Sequence, residues 1–265
     1  MIGFFDSGFG GLTILKEVEK ALPDFSYIYL GDNARTPYGS LSQEKIYQHT
    51  LQGVEELFHQ GANFVILACN TSSTMALKRL QQEYLPENHP GKKILGIIIP
   101  TAEEMTGAKN IGIFATQATV SSGAYQAEIF KFNPQAKVFQ QACPLLVPII
   151  EAGNFDQLDS VVQGYVQELF KKSSGLDTII LGCTHYGIIE NVFRRYIPNE
   201  IKIVSQGEII ADKLKKYLKN HSEFMDKLRK NQKKIFLTTE NSPHVQELAE
   251  SFYGEKIDLR TVILN

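Results

Sequence analysis

Short apolar runs recur along this chain, and each is followed by a longer stretch whose apolar residues fall at helical spacing. Ile2 to Phe5 precedes an amphipathic run from Leu12 to Leu22, and Tyr27 to Leu30 precedes one from about Ser42 to Gln60. Phe64 to Ala68 then precedes a run from Ser72 to Gln82. Such alternation constrains the fold strongly, because parallel strands need crossover connections long enough for a helix whereas antiparallel ones do not. It predicts βα units around a mainly parallel sheet. Ser40 and Gln43, three residues apart ahead of Ile46, Val54, Leu57 and Phe58, predict a capping box, and Gly61 a helix stop.

A polar, proline-bearing stretch from Tyr84 to Lys93 leads into an apolar run, Ile94 to Ile99, after which the rhythm restarts. Strands are expected at Ile111 to Ala115, near Val138, at Thr178 to Leu181 and at Ile201 to Val204. Helices are expected from Ser121 to Phe130, through Ile149, from Val161 to Phe170 and up to Tyr196. A helix from Gly207 to Leu218, a strand at Ile235 to Thr238, a helix opened by Ser242 and Pro243, and a strand at Thr261 to Leu264 complete the chain. The expected fold is therefore α/β: two similar open parallel-sheet lobes with the active site in the cleft between them. The first lobe is expected to be discontinuous, 1–96 plus 207–265, with the second at 97–206.

A formal net charge of −2 gives no global attraction to nucleic acid or an anionic membrane, and a small molecule suits such a surface better. Lys213 to Lys234 is locally basic, including Lys213, Lys215, Lys216, Arg229 and Lys230. Leu214, Tyr217, Leu218 and Leu228 punctuate it at roughly helical spacing, so it reads as a solvated helix face and loop. With Asp6 cutting the first apolar run and no run long enough to span a bilayer, a cytoplasmic protein is expected. Three widely spaced cysteines point to reduced thiols, and no CxxC or HExxH pattern suggests a metal.

Two of those cysteines occupy near-duplicate settings, Val65-Ile66-Leu67-Ala68-Cys69-Asn70-Thr71 and Ile179-Ile180-Leu181-Gly182-Cys183-Thr184-His185. Each should emerge at the carboxyl end of a strand, where open α/β sheets bind ligands. One thiol from each half suggests a substrate held between two acid/base groups. Cys143, between Ala142 and Pro144, lacks this setting and reads as structural. Other strand ends carry Asp6-Ser7-Gly8-Phe9-Gly10-Gly11, the Asp32 to Gly39 loop with its Tyr38 hydroxyl, and the hydroxyls of Thr116, Thr119, Ser121 and Ser122. The glycine turn can aim backbone N–H groups at an anion, or can be a left-handed turn capped by Asp6 or Ser7. It does not fit a dinucleotide fingerprint, because Thr13 stands where the third small residue belongs. Glu151, ending the run Leu145 to Ile150, fits a site or a helix surface equally.

In order along the chain, Asp6 to Leu12, Gly31-Asp32 with Arg35 and Pro37-Tyr38-Gly39, Ala68 to Thr71, Ala115 to Tyr125, Cys143-Pro144 to Glu151, and Gly182 to Tyr186 resemble the glutamate racemases. These belong to the cofactor-independent aspartate/glutamate racemase superfamily. The resemblance implies that Cys69 takes the Cα proton from D-glutamate and Cys183 from L-glutamate. Asp6 is implied beside Cys69, and Glu151 and His185 beside Cys183. Asp6, Ser7, Tyr38, Gly39, Asn70, Thr71, Thr116, Thr119, Thr184 and His185 are implied to hold the amino acid. It also implies no cofactor, a homodimer, and D-glutamate supply for peptidoglycan. Gly187, where the family usually has proline, and Ser205-Gln206-Gly207-Glu208 depart from the common pattern. A cysteine hydrolase using one thiol with His185 would leave the other thiol idle, and an amino-acid-binding protein would leave both.

Overall fold

The computed structural model describes residues 1–228, 230–240 and 242–264. In chain order its strands are β1 (Ile2–Asp6), β2 (Tyr27–Gly31), β3 (Phe64–Leu67), β4 (Lys93–Gly96), β5 (Asn110–Ala115), β6 (Lys137–Ala142), β7 (Thr178–Gly182), β8 (Lys202–Val204), β9 (Lys234–Thr238) and β10 (Leu259–Thr261). Among the described residues they form two wholly parallel sheets, ordered β10-β9-β2-β1-β3-β4 and β6-β5-β7-β8. The α/β architecture with two parallel-sheet lobes thus stands. β1, β2, β3 and β7 are buried along their whole length, as parallel strands covered by helices on both faces must be.

The chain crosses between the sheets twice. It leaves the first after β4 through a short helix, Ile98–Glu103, and returns after β8 through the helix Gln206–Asn220. That returning helix packs along Leu12–Ala21, whose Leu12, Ile14, Leu15 and Val18 are buried. One apolar cluster runs from Phe4 and Leu15 to Leu181 and Phe193, so the two sheets share a core.

Several local expectations shift. Ser42 caps the helix Gln43–His59 by accepting from the Lys45 N–H, whereas Ser40 ends a preceding 3-10 turn. The capping signal was displaced by two residues. The helix after β3 opens at Asn70, directly beyond Cys69, and helical turns continue to Asn88. The apolar run Ile94 to Ile99 is strand only to Gly96, and Ile98 opens a helix with Pro100 in its first turn, where a missing N–H costs nothing. Gly123, with φ +64°, divides the expected Ser121 to Phe130 helix into Gln117–Ser122 and Ala124–Phe132. The last strand is Leu259–Thr261, ahead of its expected position.

In the basic segment, Leu214 and Leu218 are buried, Lys213 pairs with Glu103 and Glu104, and Lys234 with Glu19. Arg229 lies outside the described residues. No helix among the described residues is long and apolar enough to cross a membrane.

Candidate active site

Cys69 is the N-cap of the helix Asn70–Met75, and its Sγ accepts from the Ser72 N–H at 3.4 Å. Ser7, on the loop after β1, places its Oγ 3.4 Å from the same sulfur. Burial raises the affinity of Cys69 for its proton, the Asp6 carboxylate adds to that, and the contacts with Ser7 and Ser72 oppose it. The balance lies above the ordinary thiol value, so this thiol holds its proton.

Asp6 closes β1 and is fully buried. Its Oδ2 accepts from the N–H groups of Gly11 at 3.0 Å and Gly8 at 3.3 Å, and its Oδ1 from the Thr184 hydroxyl at 3.4 Å. Burial raises its pKa, while His185 and the Gly11 and Gly8 N–H groups pull the other way. Of the two expectations for the glycine turn, an outside anion or a left-handed turn capped by Asp6 or Ser7, the Asp6 cap is present, since the Gly8 and Gly11 N–H groups donate to its carboxylate, whereas no residue from Gly8 to Gly11 has a positive φ.

The glycines serve close approach. A Cβ on Gly10 would stand 2.4 Å from Thr184 Oγ1 and 2.7 Å from the His185 nitrogen, and one on Gly8 would stand 2.3 Å from Glu151 Oε1. Side chains there would hold the second lobe away from Asp6.

Cys183 follows β7, with His185 Nδ1 3.8 Å from its sulfur. The other ring nitrogen, Nε2, lies 2.5 Å from Glu151 Oε1, and His244 contacts the Glu151 carbonyl at 2.7 Å. Burial works against a charged imidazole here, but its bonds to Cys183 and Glu151 outweigh that, and the His185 pKa stands well above 6.5. A doubly protonated ring can donate to sulfur and carboxylate together. Glu151 therefore faces the site and not only the helix surface.

The remaining expected residues divide. Thr71 Oγ1 meets Thr116 Oγ1 at 2.9 Å and Thr119 Oγ1 at 3.4 Å, joining the first lobe's helix to the second lobe's. Gly39 abuts Thr116, which a Cβ would approach to 2.7 Å. The Tyr38 hydroxyl, expected to be exposed, is buried and donates to Asp32, which also accepts from Arg35 Nε at 2.7 Å. Tyr38 lines the cavity that both thiols share, with its hydroxyl proton already given to Asp32. The Asn70 amide is similarly spent: its Nδ2 donates to Gln206 Oε1 at 2.7 Å, and its Oδ1 accepts from the Tyr125 hydroxyl at 2.7 Å. Gln206, Tyr125 and Thr101 were not anticipated around the site. No periodicity or motif marks a pairing across so many residues.

Both thiols line one small cavity with Ser7, Tyr38, Gly39, Asn70, Thr71, Thr116, Thr184 and His185. It offers about 10 Å³ for water centres, the room of a single water molecule. Asp6, Glu151 and Thr119 support its walls from behind through the contacts above. A larger cleft of about 620 Å³ is lined by Cys183 but not by Cys69, so it does not place one substrate between both sulfurs. Among the described residues no group of three or more His, Cys, Asp or Glu is arranged to hold a metal ion.

The two parallel-sheet lobes thus meet with a thiol from each, and an acid or imidazole stands near each thiol. The chain belongs to the Asp/Glu/hydantoin racemase family, whose model matches residues 12–214. Its relatives narrow the class. A glutamate racemase of Jannaschia sp. is 39% identical, covering 98% of this chain and 99% of the relative, and that of Roseobacter denitrificans is 37% identical, covering 97% and 98%. Among solved structures, the glutamate racemase of Francisella tularensis in complex with D-glutamate is 30% identical and superposes with a TM-score of 0.87 over 100% of this chain and 97% of that one. The glutamate racemase isoform RacE1 of Bacillus anthracis superposes with a TM-score of 0.88 at 30% identity, over the same shares of the two chains.

Proposed function

We propose that this protein interconverts L- and D-glutamate by proton transfer between Cys69 and Cys183, without pyridoxal phosphate. The observation that carries this reading is the pair of buried thiols on separate lobes lining one cavity, with unlike neighbours. In the L-to-D direction, a Cys183 thiolate removes the Cα proton and the Cys69 thiol delivers its proton to the opposite face. One carbon–hydrogen bond breaks and another forms, leaving Cys69 as thiolate and Cys183 as thiol, poised for the reverse reaction. A proton-retaining Cys69 and a protonated His185 beside Cys183 suit this starting state.

Ser7, Tyr38, Gly39, Asn70, Thr71, Thr116 and Thr184 hold the substrate carboxylates and ammonium in this reading, and Thr119 braces Thr71 and Thr116 from behind. Asp6 and His185 set protonation states and complete the binding set, and Glu151 holds His185. A cavity with room for one water must widen to admit glutamate, so the lobes part and close around it. The lobes are assigned as 1–96 plus 207–265 and 97–206, supported by which strands share a sheet. A cytoplasmic homodimer that supplies D-glutamate for peptidoglycan is the role that the family likeness supports.

Incubating the protein with L-glutamate in D2O tests the reaction. We expect D-glutamate carrying deuterium at Cα, with no added cofactor. Folded, reduced protein that yields neither exchange nor inversion would refute it.

Asp6 also sets an expectation for stability. Its folded pKa is raised above 3.8, so the folded state keeps the proton longer than the unfolded one, and stability is lost as pH rises through the raised value. Asp6→Asn should therefore increase the melting temperature more at pH 8 than at pH 4, by roughly 2 to 4 °C per kcal/mol recovered, while lowering turnover. Melting curves at the two pH values check this; a smaller gain at pH 8 would be the wrong sign.

A further inference from the structure

Gln206 opens the helix by which the chain returns to the first sheet, and it is 5% exposed. Its Nε2 lies 3.0 Å from Thr101 Oγ1, 2.9 Å from the Tyr125 hydroxyl oxygen and 3.2 Å from Asn70 Oδ1, and its Oε1 accepts from Asn70 Nδ2. Thr101 in turn donates to the Ile97 carbonyl at 2.7 Å. Thr101 belongs to the outward crossing between the sheets and Gln206 to the return crossing. Tyr125 comes from the second lobe, and Asn70 follows Cys69. One buried amide thus links both crossings to the residue next to a thiol.

We infer that Gln206 is a positioning residue: through Asn70 it sets the placement of the Cys69 thiol according to how the two crossings are disposed. Buried polar networks of this kind are rigid when fully paired, and losing one member leaves its partners unsatisfied. When the lobes part, the crossings absorb the motion, and Gln206 carries it to Asn70. On closure the same contacts return Cys69 to its place opposite Cys183. No catalytic step passes through Gln206 itself. The inference rests on the racemase reading, and the wild-type exchange experiment tests that reading separately.

The test compares wild type, Gln206→Leu and Tyr125→Phe. Steady-state rates with both enantiomers should show kcat lowered about tenfold for Gln206→Leu and about threefold for Tyr125→Phe, with KM changed less than either, in line with misplaced acid/base groups. Alkylation of each thiol by iodoacetamide, followed by peptide mass spectrometry, supplies the second readout. Cys69 should change its modification rate at least threefold while Cys183 stays within twofold. Equal changes at both thiols, or an unchanged kcat in a folded variant, would overturn the inference. Should Gln206→Leu fail to fold, Thr101→Val, which removes a partner of Gln206 with no bond to Asn70, decides by the same two measurements.

Discussion

Replacing Cys69 or Cys183 with serine is expected to lower kcat/KM in both directions by about 10³-fold, within the range for removing a positioned acid/base group. A serine hydroxyl fits either space but neither gives up nor accepts a proton readily near neutral pH. Both directions must suffer alike, because the enantiomers are equal in free energy and each thiol acts once in every turnover. Cys143→Ser provides the contrast. Its sulfur is buried against the Gln141 carbonyl at 3.5 Å and does not line the cavity, so most of the activity should remain, with a loss of stability of about 1 to 3 kcal/mol for burying the hydroxyl. Steady-state assays by chiral separation check all three. Equal tolerance at the three positions would sink the two-thiol mechanism.

Removing the imidazole is the second large expected effect. His185→Gln takes positive charge from beside Cys183 and leaves Glu151 facing an uncharged amide, and kcat should fall about 10²-fold. Stability gives an independent sign. Because the folded pKa of His185 is raised, its favourable contribution is complete below about pH 6.5 and is lost as pH rises through the folded value. The melting temperature of His185→Gln should therefore fall furthest below wild type near pH 6, and the gap should narrow under alkaline conditions. A gap that widened with pH would contradict the protonated pair.

The lobes and both thiols were legible because strand, helix and strand-end chemistry repeat within short windows. Periodicity marks a βα unit, and a polar residue directly after a buried strand marks its carboxyl end. Local errors arose where a boundary depended on one residue's conformation, as at Gly123, or where two serines competed to cap one helix. The hydroxyl of Tyr38 and the amide of Asn70 could not be read in that way. Whether they face a substrate or a protein partner depends on Asp32, Tyr125 and Gln206, two of them distant in sequence, and long-range polar pairing follows no period. Gly8 and Gly10 show the same limit, since their need for glycine comes from the other lobe.

The pairing of β2 with β9 carries a consequence for how the chain is made. Tyr27–Gly31 lies against Lys234–Thr238, about 200 residues later in the sequence. At synthesis rates of about 5 to 20 residues per second, the β2 edge waits roughly 10 to 40 s for its neighbour to leave the ribosome. Throughout that interval an apolar strand offers unpaired backbone groups to any other nascent chain, the circumstance in which edge strands promote aggregation. Assembly of the first sheet is thus timed by translation of the last strands, and yield in the cell should depend on what shields that edge meanwhile.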